Sequence, residues 1–427
     1  MNVLLIGSGG REHAIALKIK ESKKLSTLFC APGNPGTKNL ANNISLNISD
    51  HPQINDFCSL KKIELVVIGP EQPLVDGLAD YLRQNGIKVF GPSAKAAQIE
   101  SSKAFAKKIM LDAGVPTAGY VEFNENQLSQ TNDFLLSANY PLVIKADGLA
   151  AGKGVLICNN LLEAQSAIKE IFEDKIFGKS GSKIIIEEFL VGEEASIFAI
   201  TDGENFVCLP SAQDHKRIGD GDTGKNTGGM GAYAPAPIIT AELLEQIEQE
   251  IIEPTLKKMQ ETGNKFIGCL YAGLIITEAG PKVIEFNCRF GDPETQVVLP
   301  IIEGDFLELL YSAASENLDK KSVEYSGGSA VCVVAASKGY PDDYKKGFEI
   351  SGLDLSDEKI IVYHAGTKKV NDKILTNGGR VLGITSVIKN FDLKLAQQKA
   401  YEAIKRVSFD GIYYRKDIAE KAFKHLK

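Results

Sequence analysis

Short apolar runs alternate with helix-length amphipathic stretches through the first hundred residues, and this alternation constrains the fold more than any other feature. Residues 3–6 (Val3-Leu4-Leu5-Ile6) read as a strand and 11–20 as a helix. Residues 25–30 and 65–68 read as further strands, and 88–90 lead into Gly91-Pro92. Apolar runs this short and continuous need cover on both faces, which the intervening helices supply. The pattern predicts a doubly wound parallel sheet, a fold that places its ligands at the carboxyl ends of the strands.

Gly91-Pro92-Ser93 marks a boundary. A helix is expected over about 94–113, ending at Gly114-Val115-Pro116. Beyond Tyr140 the pattern turns to hairpins, with strands at 141–145 and 154–158, a helix over about 162–172, and strands at 183–186, 194–200 and 206–209. Residues 219–231 contain six glycines and read as a loop. A helix over about 241–260 precedes a strand pair at 268–277 and 282–287. The tail opens with an apolar strand at 330–336 and closes with a helix after Tyr414. A chain of 427 residues exceeds one compact core, so several domains are expected.

Composition excludes some function classes. Lys plus Arg is 48 against Asp plus Glu at 55, a net charge of -7, which disfavours a general nucleic-acid or anionic-membrane partner. The seven cysteines are scattered singly without a Cys-x-x-Cys pair, and read as reduced buried thiols rather than a disulfide or zinc framework. No basic export region opens the chain and no segment has the length to span a bilayer, so the expectation is a cytoplasmic protein.

Gly7-Ser8-Gly9-Gly10-Arg11-Glu12-His13 joins a strand to a helix, where backbone N–H groups and the helix dipole favour an anion. Glu12 stands where a dinucleotide fingerprint needs its third glycine, and no acid follows the second strand, so a monophosphate suits the turn better than a nicotinamide cofactor. Glu71 and Asp76 follow the strand 65–68 on the same rim. They suit ribose hydroxyls or an amine, or simply the start of a helix.

Lys145-Ala146-Asp147-Gly148-Leu149-Ala150-Ala151-Gly152-Lys153-Gly154 joins two strands and lacks P-loop spacing. A glycine hairpin of this kind can still fold over a triphosphate, with Lys145 as a point charge. Lys103, beside Lys107 and Lys108, reads alone as a surface lysine. Glu187-Glu188-Phe189-Leu190 ends a strand and can offer backbone groups to an adenine edge, with Glu194 near a ribose, although taken alone these acids read as a solvated strand end. Glu285-Phe286-Asn287 places two oxygen donors on one strand face about 7 Å apart, a spacing that suits magnesium completed by phosphate and water. Arg289 points the same way and suits a phosphoryl oxygen or a carboxylate, and Asp292 and Glu294 follow it.

In this order, Lys103, the Lys145 loop, the segment 187–190, Glu194 and Glu285-x-Asn287 resemble the ATP-grasp superfamily. Arg289-Phe290-Gly291-Asp292-Pro293-Glu294-Thr295-Gln296 resembles the signature of its phosphoribosylamine–glycine ligase family. The turn at 7–13, Ala31-Pro32-Gly33-Asn34-Pro35-Gly36-Thr37, Gly69-Pro70-Glu71, Asn226-Thr227-Gly228-Gly229-Met230-Gly231-Ala232-Tyr233 and Asn377-Gly378-Gly379-Arg380-Val381-Leu382 match the same family. Lys225 departs from an expected proline, and the strand 273–277 lacks the extra acidic metal ligand common in the superfamily.

The resemblance implies an α/β and α+β multidomain chain. Residues 1–101 would form a Rossmann-like domain binding phosphoribosylamine, and 102–328 an ATP-grasp domain with a mobile subdomain over about 120–190. Residues 329–427 would form a small mixed domain. It further implies ligation of glycine to 5-phosphoribosylamine through glycyl phosphate, in purine biosynthesis. ATP would be held by Lys103, Lys145, Gly152, Lys153, Gly154, Glu187, Glu188, Leu190 and Glu194, and magnesium or manganese by Glu285 and Asn287. Gly9, Gly10, Arg11, Asn34, Gly36, Glu71 and Asp76 would face the sugar phosphate. Asp214, His215 and Lys216 would face glycine, with Arg289 and Asp292 orienting its charged ends. The expected partners are these small molecules, without nucleic acid or membrane, in a monomer or weak homodimer.

Overall fold

The computed structural model describes residues 1–149, 154–355 and 357–426, without the side chain of Lys179. The first hundred residues form a five-stranded parallel sheet. Its order is Asn42–Asn43, Thr27–Pro32, Asn2–Gly7, Leu65–Ile68 and Lys88–Phe90. Asn2–Gly7 is central, paired in register on both sides, with Leu5 opposite Cys30 and Val67. Both faces are buried, as the continuous apolar runs require. Val3, Leu5 and Val67 share a core with Phe198, Phe290, Leu307 and Leu310. Leu4, Ile6 and Val66 pack with Ile54, Leu78 and, from the central region, Leu270 and Phe286. The parallel sheet is therefore welded to the central region rather than tethered to it.

The central region contains two four-stranded antiparallel sheets, one with longer strands than the other, besides two short two-stranded pairs. The longer-stranded sheet has the order Phe206–Cys208, Glu193–Thr201, Gly268–Thr277, Gly280–Asn287. The other has the order Tyr120–Asn124, Lys183–Glu188, Leu142–Ala146, Val155–Cys158, and it forms a lobe with its own core around Leu135, Ile144, Phe172 and Ile186. The third major sheet has the order Gln213–Asp214, Gly231–Ala234, Ser329–Ser337, Arg380–Ile388, Ile360–His364, with Ile412–Tyr413 added beside Ser329–Ser337. Two strands of this sheet come from the middle of the chain. No helix among the described residues is long and apolar enough to cross a membrane.

Several local expectations need correction. The helix expected over 94–113 is two, Gln98–Ser101 and Lys103–Ala113, because Ser102 is extended and its hydroxyl caps the second by accepting from the Phe105 N–H. That helix stops at Gly114, whose φ of 68° suits glycine. The glycine-rich stretch 219–231 is not an open loop, since Arg217–Gly219 and Thr223–Asn226 pair as a hairpin. The helix expected over 162–172 widens into a π segment at Lys169–Glu173, and that over 241–260 contains another at Glu248–Ile252. In the tail the main helix is Leu393–Ile404, which the sequence reading passed over, and the segment after Tyr414 is only a short 3-10 turn, Glu420–His425.

Candidate active site

The cleft lies where the small lobe, the strand end at 285–289 and the rim of the parallel sheet converge. Lys145 and Glu187 sit on adjacent antiparallel strands, with Val143 opposite Glu187, so their side chains share a face diagonally. Lys145 Nζ lies 2.8 Å from Glu187 Oε2 and donates to the Ile284 carbonyl at 3.1 Å. Glu187 is buried, and its other oxygen lies 3.2 Å from Lys107 Nζ, itself buried. Glu187 is thus the shared counterion of two lysines, not a solvated strand end. Burial draws Lys107 down from 10.5 to about 8, with Glu187 opposing and Lys145 reinforcing the shift. The sequence reading missed Lys107; its only signal was its place one helical turn after Lys103.

Asp147 accepts from the Ala104 N–H (3.1 Å) and the Ser102 hydroxyl (3.2 Å), docking the start of the glycine loop on the helix that carries Lys103. Lys103 is half-buried and donates to the Gly148 carbonyl at 3.0 Å, so it faces the cleft rather than bulk solvent. Gly152 and Lys153 lie outside the described residues, whereas Gly154 is buried and its carbonyl accepts from the Ala146 N–H. Glu188 is exposed and accepts from the Gly119 N–H, Leu190 is half-buried, and the exposed Glu194 pairs with Lys216 at 2.7 Å.

Glu285 pairs across the sheet with Gly273, and Asn287 with Tyr271, which confirms that the two oxygen donors share a face. A Cβ at Gly273 would lie 3.2 Å from Glu285 Cγ, so the glycine leaves that carboxylate its space. Burial alone would raise the Glu285 carboxyl, but Lys216, Lys145, Lys103 and Arg289 outweigh it and hold the group ionised. An ionised carboxylate beside an amide oxygen is a hard donor set, which fits a divalent cation completed by phosphate oxygens. Among the described residues no cluster of three or more His, Cys, Asp or Glu is placed to hold a metal by itself.

Asp214 and Lys216 flank this centre. Burial pushes Asp214 up to about 8; Lys216 opposes the shift, while Glu294, Glu194 and Glu285 reinforce it. A carboxyl poised near neutrality in a cleft is a candidate for handling a proton or an ammonium. Lys216 is only partly buried, and against that desolvation its ammonium is raised, chiefly by Glu194 and Asp214. His215 is fully buried, and neither ring nitrogen has a partner. Burial, with Lys421 and Arg415 nearby, holds its imidazole down at about 3. It is therefore neutral and turned inward, which removes it as a cation for a substrate carboxylate.

The segment 289–296 packs directly on the N-terminal turn. A Cβ on Gly9 would come within 3.6 Å of Asp292 Oδ2, and one on Gly10 within 2.7 Å of Gln296 Nε2. Gly36 is held equally close to His13. Within the turn the Glu12 carboxylate accepts from the Gly9 N–H at 2.6 Å and from Arg11 Nε at 2.6 Å, so the chain's own acid occupies part of the anion seat. Arg11 also donates to the Phe290 carbonyl. The Asn34 amide donates to the carbonyls of Ser8 and His364 and accepts from the Gly36 and Thr37 N–H groups, so it organises the loop. Asp76 is exposed and accepts from the Gln72 side chain.

Arg289 is gripped by Glu100 (2.8 Å) and Glu71 (3.4 Å), which keep it charged against its burial. This assigns Glu71 to Arg289 and adds Glu100, which also accepts from the Cys288 N–H. Asp292 pairs with Arg380 at 3.0 Å. Arg380, whose motif was visible in the sequence but whose role was not, bonds the Gly228 carbonyl and the Asp292 carbonyl as well.

This geometry can be set beside known proteins. Three family models cover the chain in order: the phosphoribosylglycinamide synthetase N domain over 1–100, its ATP-grasp (A) domain over 101–295, and its C domain over 330–421. The chain belongs to the phosphoribosylglycinamide synthetase family. Two curated relatives named phosphoribosylamine–glycine ligase support the same placement. The one from Nostoc sp. is 48% identical, covering 98% of this chain and 99% of the relative. That from Caldanaerobacter subterraneus is 46% identical, covering 98% and 99%. The crystal structure of phosphoribosylamine–glycine ligase from Thermotoga maritima matches with a TM-score of 0.84 at 34% identity, covering 98% of this chain and all of that one. The three-part architecture and the ATP-grasp centre of this family member are thus the framework for its chemistry.

Proposed function

We propose that this ATP-grasp ligase joins glycine to 5-phosphoribosylamine, forming glycinamide ribonucleotide, ADP and phosphate in purine biosynthesis. The observation that carries the reading is the meeting of two sites in one cleft. The four-cation nest around Glu285 abuts the segment 289–296, which itself packs on the N-terminal glycine turn. A phosphoryl donor bound at the first and a sugar phosphate bound at the second would bring their reacting ends together.

In this scheme Lys103, Lys145 and the loop from Asp147 to Gly154 bind the ATP phosphates. The strand end 187–190 and Glu194 would hold the nucleoside. Glu285 and Asn287 would hold magnesium or manganese, which neutralises charge on the phosphates during transfer. Asp214 and Lys216 receive glycine, whose carboxylate attacks the γ-phosphorus of ATP, breaking its bond to the β–γ bridging oxygen and giving glycyl phosphate and ADP. The amine of phosphoribosylamine then displaces phosphate from that acyl carbon. No protein nucleophile is needed; the residues position, neutralise charge and exclude water. Residues 1–101, 102–328 and 329–427 divide as sugar-phosphate, ATP-grasp and capping regions, with the small lobe moving over the nucleotide. The enzyme works in the cytoplasm on small molecules, as a monomer or weak homodimer.

The test measures ADP and phosphate release from magnesium-ATP with glycine and freshly made phosphoribosylamine, separately and together. Full turnover is expected only with both. Turnover with bicarbonate replacing glycine would assign the site to a carboxylase and sink the proposal.

A further inference from the structure

The segment between Asp214 and Gly229 projects from its sheet almost without hydrophobic support. Residues 216–228 include no buried side chain, and Ile218, half-buried, is their only aliphatic residue larger than glycine. A short hairpin with so little apolar burial is marginal on its own. Yet it begins at Lys216, at the edge of the catalytic cluster.

Lys225 pairs with Asp342 at its exposed edge, and Gly228 is held by Tyr340 and Arg380; the rest of what holds it is polar and comes from the far end of the chain. Arg415 is completely buried. Its Nη1 donates to the Arg217 carbonyl (3.0 Å) and to Asp222 Oδ1 (2.9 Å). Its Nε and Nη2 form a two-pronged pair with Asp417 (2.7 and 2.6 Å). Asp417 in turn accepts from the Gly221 N–H at 2.8 Å. Around this centre the Lys416 N–H donates to Asp220, the Tyr413 hydroxyl donates to the Ile218 carbonyl, and Lys421 pairs with Asp222. Residues 413–421 thus grip 217–222 at six points. The fork geometry of a guanidinium suits such a junction, because its donors have fixed directions.

We propose that Arg415 is a positioning residue for the ligation: it fixes the hairpin 217–226 and thereby sets Lys216 and Asp214 against the cleft. The Arg217 carbonyl that it holds lies one residue from Lys216, so the restraint passes through a single residue. The proposal rests on the reading of Asp214 and Lys216 as the glycine-facing groups. Arg415 itself touches no substrate.

Four variants of the full-length enzyme test this: Arg415→Met, Arg415→Lys, Tyr413→Phe and Asp220→Ala. Each is measured by amide hydrogen exchange over 217–226 and by KM for glycine and for ATP. Arg415→Met is expected to speed exchange in the hairpin and raise the glycine KM roughly tenfold or more, the scale of a small misplacement. The ATP KM should change much less than the glycine KM, since of the nucleotide residues only Glu194 touches the restrained segment, through its pair with Lys216. Arg415→Lys should recover part of the loss. A uniform fall in all parameters, or an unchanged glycine KM in a folded Arg415→Met enzyme, would overturn the positioning role. If Arg415→Met does not fold, Tyr413→Phe and Asp220→Ala decide the matter. Each removes one outer contact, and unchanged exchange at 217–222 in both would overturn the clamp. Failure of the wild-type enzyme to turn over glycine would sink the proposed activity instead, and the exchange measurements would still decide the clamp.

Discussion

Glu187→Gln isolates the physics of the nucleotide lysines. The side chain keeps its shape, but the negative charge between Lys107 and Lys145 disappears. Those lysines are 2% and 6% exposed at the side chain, so water cannot replace it. Removing one partner of a buried ion cluster costs about 3–5 kcal/mol. Lys107 retains the Thr117 hydroxyl and the Ala118 carbonyl as acceptors, which softens the loss toward the lower end. The position of Lys107, about 8 instead of 10.5, already corresponds to about 3 kcal/mol against its charged form. Because its folded value is depressed, the unfolded chain binds more protons between pH 8 and 10.5. Its contribution to stability therefore rises with pH across that window and is flat below it. Without Glu187 the ammonium is disfavoured further, so the window should open below pH 8. Urea unfolding followed by circular dichroism at several pH values measures both effects. A loss under about 1 kcal/mol at pH 7, with the same pH dependence as wild type, would refute the shared-counterion reasoning.

Three further outcomes are expected. Glu285→Ala should abolish turnover while the fold is retained, and near-normal activity would remove Glu285 from the metal set. Gly36→Ala should weaken use of phosphoribosylamine, because the added methyl would overlap the His13 ring; an unchanged KM for that substrate would show that the junction yields. Asp292 is opposed by burial but held below the usual carboxylate range by Arg380 and Arg11. Its stabilising contribution is present above the unfolded value and lost as pH falls through the lower folded one. Asp292→Asn should therefore flatten acid unfolding below about pH 4, and an acid limb identical to wild type would count against this ion pair.

Much of the scaffold was legible in the sequence because its signals are local. The strand 65–68 is observed at those limits, and the pair at 268–287 differs only in where the turn ends, at 280 rather than 282, since burial pattern and strand length are set by neighbours in the chain. The helix Leu393–Ile404 was passed over although its hydrophobic spacing was available. The hairpin at 217–226 was hidden for a different reason: its glycine-rich, polar sequence has no local preference strong enough to announce strands, and its partners are nearly two hundred residues away.

The sequence by itself determined the parallel sheet, the glycine turns and the face shared by Glu285 and Asn287, because backbone periodicity places those side chains regardless of what surrounds them. Only the tertiary structure decided which charges meet. Glu187 with Lys107 and Lys145, Arg289 with Glu100 and Glu71, and Asp292 with Arg380 all pair across elements. The same burial that brings them together turns His215 inward and lifts Asp214 to about 8. Ionisation depends on desolvation and on neighbours from distant segments, and neither is a property of the residue or of its place in the chain.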